Sequence, residues 1–287
     1  MVIVGNITVG GSGKTPAVLA LANALINRGL SVAIVSRGHG GDTQAATRVD
    51  PNATAQQVGD EALLLAQESG APVYVGRKRA DAAKLAAEEG AQIILSDDGL
   101  QHYALSRDVE IVVMDASAGF GNGHRLPVGP LREPLPRLGA IDFLLQRNGT
   151  DGHSAMPVKP EYFRQLLSGE ERALDNPGFG PNIHGVAGIA RPERFFESLR
   201  AMGFKVEEHA FPDHHTFEDA DFETLSDKPV VMTAKDAVKC RGFGLEDAWV
   251  LSVQAELPEG MVDRLLRLCG LTTAVAPNAE SSAEELR

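Results

Sequence analysis

The stretch GNITVGGSGKTP, Gly5 to Pro16, decides the fold. Phosphate-gripping loops commonly read Gly, four residues, then Gly-Lys-Ser/Thr. Gly13-Lys14-Thr15 closes that pattern, but Thr8 stands at the opening position where glycine is usual. Such a loop works because successive backbone N–H groups turn inward above a helix N-terminus. Gly10, Gly11 and Gly13 are expected to supply the positive-φ freedom this needs. Thr8 should cost little if its own φ is negative. Lys14 would reach the β- and γ-phosphates, and Thr15 would offer its hydroxyl to Mg²⁺. Thr8, Gly10, Gly11, Ser12, Gly13, Lys14 and Thr15 are therefore the candidate nucleotide-binding residues.

The context outside the loop supports this reading. Val2–Val4 is an apolar run that leads straight into the loop. Beyond it, Val18, Leu21, Ala22, Leu25 and Ile26 fall on one helix face. Gly29 ends that helix, and Val32–Val35 is a second apolar run of strand length. Strand, loop, helix and strand make a βαβ unit, and fully apolar strands imply a parallel sheet covered on both faces. Helices are expected over Asp60–Glu68 and Asp81–Glu89. Strands are expected at Pro72–Val75, Ile93–Leu95, Glu110–Met114 and Phe143–Leu145. Residues 42–58 read as a surface loop.

From Thr150 to Pro181 the periodicity fades among scattered prolines, so residues 151–180 read as a linker. The alternation then resumes. Strands are expected at Val186–Ile189, Val230–Thr233 and Val250–Val253, an extended segment at Val206–Phe211, and helices at Glu193–Met202 and Met261–Leu268. The expected class is α/β: a P-loop NTPase-like, mostly parallel sheet flanked by helices in residues 1–150, with a second, smaller α/β domain in 181–276. Residues 277–287 read as a loose polar tail.

Bulk properties narrow the function. The formal net charge is −12 over 287 residues, which disfavours bulk attraction to nucleic acid. Cys240 and Cys269 lack metal-ligand spacing, in keeping with a reducing cytoplasm. No apolar run has the length of a membrane span, and the opening MVIV is too short for a signal peptide. A soluble or membrane-peripheral protein is expected.

A Mg²⁺-bound nucleotide needs a carboxylate at a neighbouring strand end. IILSDDG offers Asp97 and Asp98, and EIVVMD offers Asp115. Adjacent carboxylates repel unless a cation lies between them, which favours the doublet. TAKD (Thr233–Asp236) has the wrong spacing for a guanine-reading element. The second early lysine of partner-driven ATPases is missing from the loop.

Several separated motifs resemble the tetraacyldisaccharide 4′-kinases of lipid A synthesis: GNITVGGSGKTP, VSRGHGG (35–41), VGDEALLLA (58–66), LSDDGLQH (95–102), LPVGPLREPLPRL (126–138), GIARPERFF (188–196), FPDHHTF (211–217) and TAKDAVK (233–239). They run in family order across nearly the whole chain. The resemblance implies transfer of the ATP γ-phosphate, with Mg²⁺, to the 4′-hydroxyl of a tetra-acylated glucosamine disaccharide 1-phosphate. It also implies peripheral contact with the cytoplasmic face of an inner membrane; a monomer is expected. Family members usually carry an additional N-terminal segment with a membrane-contacting helix, whereas this chain starts at the loop strand. His39 stands where the family commonly has tyrosine.

The family's catalytic aspartate maps onto Asp60, which by sequence alone reads as a helix N-cap. Glu61 follows it as a candidate contact to Mg²⁺ or its waters. The family pairs that aspartate with a histidine, here His214 or His215; the sequence leaves the choice open. Arg79 resembles a family arginine near the phosphates, against the alternative of a solvated helix-start residue. Arg125, Arg132 and Arg137 form a local positive island after a strand end and are candidates for substrate phosphate. A nucleotide-switch ATPase working through protein partners is the rival reading.

Overall fold

The structure, a computed structural model, describes residues 1–271; the tail expected from Pro277 onward lies outside them. Seven strands build the first sheet: β1 (Val2–Gly5), β2 (Val32–Ser36), β3 (Thr47–Arg48), β4 (Val73–Val75), β5 (Ile93–Asp97), β6 (Val109–Asp115) and β7 (Phe143–Arg147). Their order is β3-β4-β2-β5-β1-β6-β7, parallel except for the short edge strand β3. Interleaved with them are helices α1 (Lys14–Ile26), α2 (Ala55–Val58), α3 (Asp60–Glu68) and α4 (Arg79–Glu88).

The unbroken apolar runs have a simple cause. Side chains alternate between sheet faces, and both faces are covered. In β1, Val2 and Val4 join the core beneath α1 and α3, while Ile3 points into the opposite core beneath α4. In β2, Val32 and Ile34 join the first core, Ala33 and Val35 the second. Central β1 lies between β5 and β6, so the loop after β1 sits beside the end of β5 with its two aspartates.

The second sheet is built from β8 (Val158–Gln165), β9 (Glu171–Ala173), β10 (Asn182–Ala187), β11 (Lys205–Ala210), β12 (Val230–Thr233) and β13 (Ala248–Ala255), in the order β11-β10-β12-β13-β8-β9. Strands β10 to β13 pair in parallel, while β8 and β9 add antiparallel partners. Helices α5 (Pro192–Ala201) and α6 (Ala234–Cys240) cover opposite faces of this sheet. Helix α7 (Met261–Leu268) crosses back, and its Met261, Leu265 and Leu266 are buried in the core of the first sheet.

Two expectations fail here. Residues 151–180 are no mere linker, because they contain β8 and β9. Pro160 sits in β8 opposite Val253, where the pairing shifts register, and an irregularity of that kind tolerates a residue with no N–H. Residues 42–58 likewise hold β3 and α2, the latter closed by a capping box of Thr54 and Gln57.

Candidate active site

The loop between β1 and α1 is braced from two sides. Buried Asn6 donates from Nδ2 to Ser12 Oγ at 3.2 Å, and Gln101 donates to the Asn6 carbonyl at 3.1 Å. Thr8 bridges to Leu131, Val9 N–H donates to Pro130 O at 2.9 Å, and Arg132 N–H donates to Ile7 O at 2.7 Å. Thr8 is absent from the residues with positive φ. Its backbone is thus an extended strand end fixed by residues 130–132, a conformation that does not need glycine. Gly10 (φ 97°) and Gly13 (φ 93°) do need it, whereas Gly11 does not use that freedom, contrary to expectation. Gly13 caps α1, so the helix N-terminus opens beneath Lys14 and Thr15.

Asp97 and Asp98 differ sharply although they are adjacent. Asp98 pairs with Lys14 Nζ at 3.4 Å and with Arg132 Nη1 at 3.0 Å. Burial pushes its carboxyl up, but Lys14 and Arg132 outweigh burial and hold it below the ordinary value. Asp97 is almost fully buried, and its Oδ1 has no hydrogen-bond partner. Burial, then the Glu61 carboxylate, raise it to about 7, against the pull of Lys14. An orphaned buried carboxylate oxygen near Glu61 and the loop suits a hard, oxygen-seeking cation. Asp97, Thr15 and Glu61 would hold Mg²⁺. Asp115, the other strand-end candidate, is already engaged by arginines.

Arg79 is buried rather than solvated. Its Nη1 donates to Asp98 O at 2.6 Å, and burial lowers its pKa, opposed by Asp97 and Asp98. Asp60 is not an N-cap. Gly59 holds that place at φ 89°, with a Cβ there only 2.5 Å from His39 O. The tight contact between the 38–39 turn and the start of α3 fixes Asp60 in the first helical turn, buried.

The histidine ambiguity resolves geometrically. His214 Nδ1 lies 2.9 Å from Asp60 Oδ2, and His214 Nε2 lies 3.1 Å from Lys235 Nζ. An ammonium has only donors, so Nε2 accepts from Lys235 and Nδ1–H donates to Asp60. His215 turns away and meets Asp221 Oδ2 at 3.0 Å. The left-handed φ of 60° at His214 separates the two rings. His39 packs edge-on against His214, with ring centroids 5.7 Å apart.

The positive island divides in three. Arg132 enters the cleft. Arg137 is locked by Glu110 and by Glu133, the latter at 3.2 Å. Arg125 is exposed outside the cleft, so neither Arg125 nor Arg137 is placed to touch substrate there.

Lys235, which with Lys239 in TAKDAVK the sequence offers for either substrate phosphate or structure, also pairs with Asp213 at 3.1 Å and Glu61 at 3.3 Å; burial lowers its pKa, but these carboxylates and Asp60 outweigh it and leave it raised. Other side chains in the cleft escape sequence reasoning. Arg147 packs close to Gly13. Arg191 and Arg194, at the start of α5, reach across to Asp115; the Arg191 contact is 2.9 Å. Burial raises the Asp115 carboxyl, yet hydrogen bonds from Ser117, Arg194 and Asn148 bring it down to about 2. Arg191 and Arg194 do lie in the motif GIARPERFF, one helical turn apart, but sequence supplies no partner for them. Asp236 of TAKD is fully buried and accepts from Gly188 N–H at 2.9 Å, so it is committed to structure.

The glycine loop and the second-sheet side chains converge on one cleft of about 920 Å³ between the two sheets, with Asp60 buried behind His214. The Gly10–Thr15 loop, Asp97, Asp98 and Arg79 line one wall; His214, Lys235, Arg191 and Arg194 line the other.

The family model described as tetraacyldisaccharide-1-P 4′-kinase matches residues 1–270. The tetraacyldisaccharide 4′-kinase of Methylobacillus flagellatus is 45% identical over 270 residues, covering 93% of this chain and 81% of that protein. The protein of the same name from Alcanivorax borkumensis is 45% identical over 272 residues, covering 93% and 83%. The crystal structure of the "apo" form of LpxK from Aquifex aeolicus in complex with ATP superposes with a TM-score of 0.76 at 27% identity, covering 93% of this chain and 86% of that one. The chain belongs to the tetraacyldisaccharide-1-P 4′-kinase family.

Proposed function

We propose that the cleft transfers the γ-phosphate of ATP to the 4′-hydroxyl of a tetra-acylated glucosamine disaccharide 1-phosphate. The observation that carries this reading is the position of the Asp60–His214 pair opposite the glycine loop, across a single cleft. The loop N–H groups and Lys14 hold the triphosphate, and Arg79 and Arg132 add positive charge beside it. Mg²⁺, when bound, neutralises phosphate charge. The hydroxyl oxygen forms its bond to phosphorus as the bridge to ADP breaks. The hydroxyl proton passes to Nε2 of His214 as the Lys235 ammonium moves off that nitrogen, with the Asp60 carboxylate fixing the tautomer through Nδ1–H. Arg191 and Arg194 bring second-domain charge towards the nucleotide.

No helix among the described residues is long and apolar enough to cross a membrane. Peripheral contact with the cytoplasmic face of an inner membrane, by a monomer, fits a lipid acceptor. The exposed Leu126 and Val128 beside Arg125 form an apolar tip with a cation, suited to a headgroup boundary.

The test is incubation with Mg·ATP and the detergent-dispersed disaccharide 1-phosphate, followed by phosphorus NMR of the lipid. A new monoester on the 4′ carbon is expected. ATP hydrolysis that ignores the lipid and responds to a protein instead would favour the switch reading.

A further inference from the structure

Far from the cleft, the second sheet carries a group of side chains that the kinase reaction does not use. Strands β10 and β11 are parallel, and His184 lies opposite Glu207 while Val186 lies opposite His209. His184, Glu207 and His209 therefore project from the same face of the sheet. Their ligating atoms all fall within 4.8 Å of one another. His184 Nδ1 is 3.0 Å from His209 Nε2 and 3.7 Å from Glu207 Oε2. Tetrahedral zinc with bonds near 2.0–2.1 Å sets its donor atoms about 3.3 Å apart, between those two values.

We propose that His184, His209 and Glu207 form a binding site for one divalent cation of the zinc type. Asp227 supplies the outer partner that such sites use. Its Oδ1 accepts from His184 Nε2 at 2.7 Å, which fixes the proton on Nε2 and leaves the Nδ1 lone pair directed at His209 and Glu207. His184 is almost wholly buried, so its orientation is set by the fold. Ligation moves the His209 proton from Nε2 to Nδ1 without changing its charge. Lys228 Nζ contacts Glu207 Oε2 at 2.7 Å and Asp227 Oδ2 at 3.1 Å, so the carboxylates already gather around a positive charge. Lys228 is partly exposed and can swing to solvent when a metal cation takes its place. Two histidines and one carboxylate leave a fourth position for water.

The site would tie β10 and β11 together next to the segment that enters β12. The far ends of the same three strands lead to Arg191, His214 and Lys235, so the bound ion would stiffen the domain that carries that wall of the cleft.

The experiment uses the nucleotide-free full chain in excess Mg²⁺, titrated with Zn²⁺ by calorimetry, with Co²⁺ as a visible-absorption probe. One equivalent of Zn²⁺ should bind and raise the thermal midpoint. His209→Ala and Glu207→Gln should each weaken binding tenfold or more, and Asp227→Asn by about 10–100-fold. All three should keep wild-type kinase turnover. The exposed Glu207→Gln change keeps the test valid if His209→Ala perturbs the fold. Failure of the wild-type chain to bind Zn²⁺, or equal binding by wild type and Glu207→Gln, would overturn the proposal and leave the cluster a structural hydrogen-bond network.

Discussion

The imidazole of His214 is held between a carboxylate on one nitrogen and an ammonium on the other. That arrangement separates it from His215 chemically as well as spatially. His214→Ala and Asp60→Asn should each lower turnover by about 10²–10⁴, the range of general-base contributions, with little change in KM for ATP. His215→Ala should leave turnover within a few-fold of wild type, because its ring serves Asp221. Steady-state kinetics on the three variants decides this. The sequence offered Asp213-His214-His215 as a doublet and no means of choosing. The choice depends on one left-handed φ at His214, which no composition or spacing reveals. Asp97 yields a second prediction. Its pKa is about 4 in the unfolded chain and about 7 in the folded protein. Between those values the folded state keeps a proton that the unfolded state has lost, so stability falls as pH rises through the window. A tenfold change in proton affinity is worth about 1.4 kcal/mol. Without nucleotide and metal, Asp97→Asn should therefore raise the thermal midpoint above pH 7 and have little effect below pH 4, while removing kinase activity. Melting curves at the two pH values test the sign.

The segment from Arg125 to Arg137 reads as one basic loop, yet its arginines serve three ends. Arg132 pairs with Asp98 beside Lys14, whereas Arg137 closes a buried network with Glu110 and Glu133. Arg137→Ala leaves Glu110 paired with Arg107 alone and Glu133 with only the Gln101 and Tyr103 hydrogen bonds, a loss of about 1–3 kcal/mol for two buried carboxylates that each lose a charged partner. It should lower the unfolding midpoint more than it lowers turnover per folded molecule. Arg132→Ala should do the reverse. Denaturant melts alongside kinetics separate the two. The parallel strands were legible because both faces of each are buried, which leaves continuous apolar runs such as Val32–Val35. Strand β8, VKPEYFRQ, was not legible. Its first five residues alternate partly exposed and exposed, only Phe163 is buried, and Pro160 sits at a register shift, so its chemistry resembles that of a linker. Helix α6 was missed because its buried Asp236 and Lys239 look like surface charge until the tertiary contacts are known.

The two sheets meet through charged and apolar contacts on both sides of the cleft. Helix α7 packs into the first core, Arg164 of β8 pairs with Glu68 of α3, and Arg191 and Arg194 of α5 grip Asp115 of β6. Arg147, half-buried and close to Arg191 and Arg194, is held below the usual guanidinium value by desolvation and then by Arg194. This cluster carries more positive charge than Asp115 alone balances, beside a loop built for phosphate. Arg194→Ala should raise KM for ATP about tenfold, as loss of a charge-assisted contact of about 1.5 kcal/mol would. Nucleotide titrations check it. The parallel part of the second sheet was legible from the restart of strand–helix alternation after Pro181, although β10 runs Asn182–Ala187 and not the expected Val186–Ile189. The contacts across the cleft were not, because they join residues far apart in the chain. The most direct test of the account is a single turnover with γ-radiolabelled Mg·ATP and dispersed disaccharide 1-phosphate. The account predicts that label moves into the lipid with the wild-type chain and stays in ATP with Asp60→Asn, which still binds the nucleotide. Label released as inorganic phosphate at the same rate with or without lipid, or full transfer by Asp60→Asn, would contradict it.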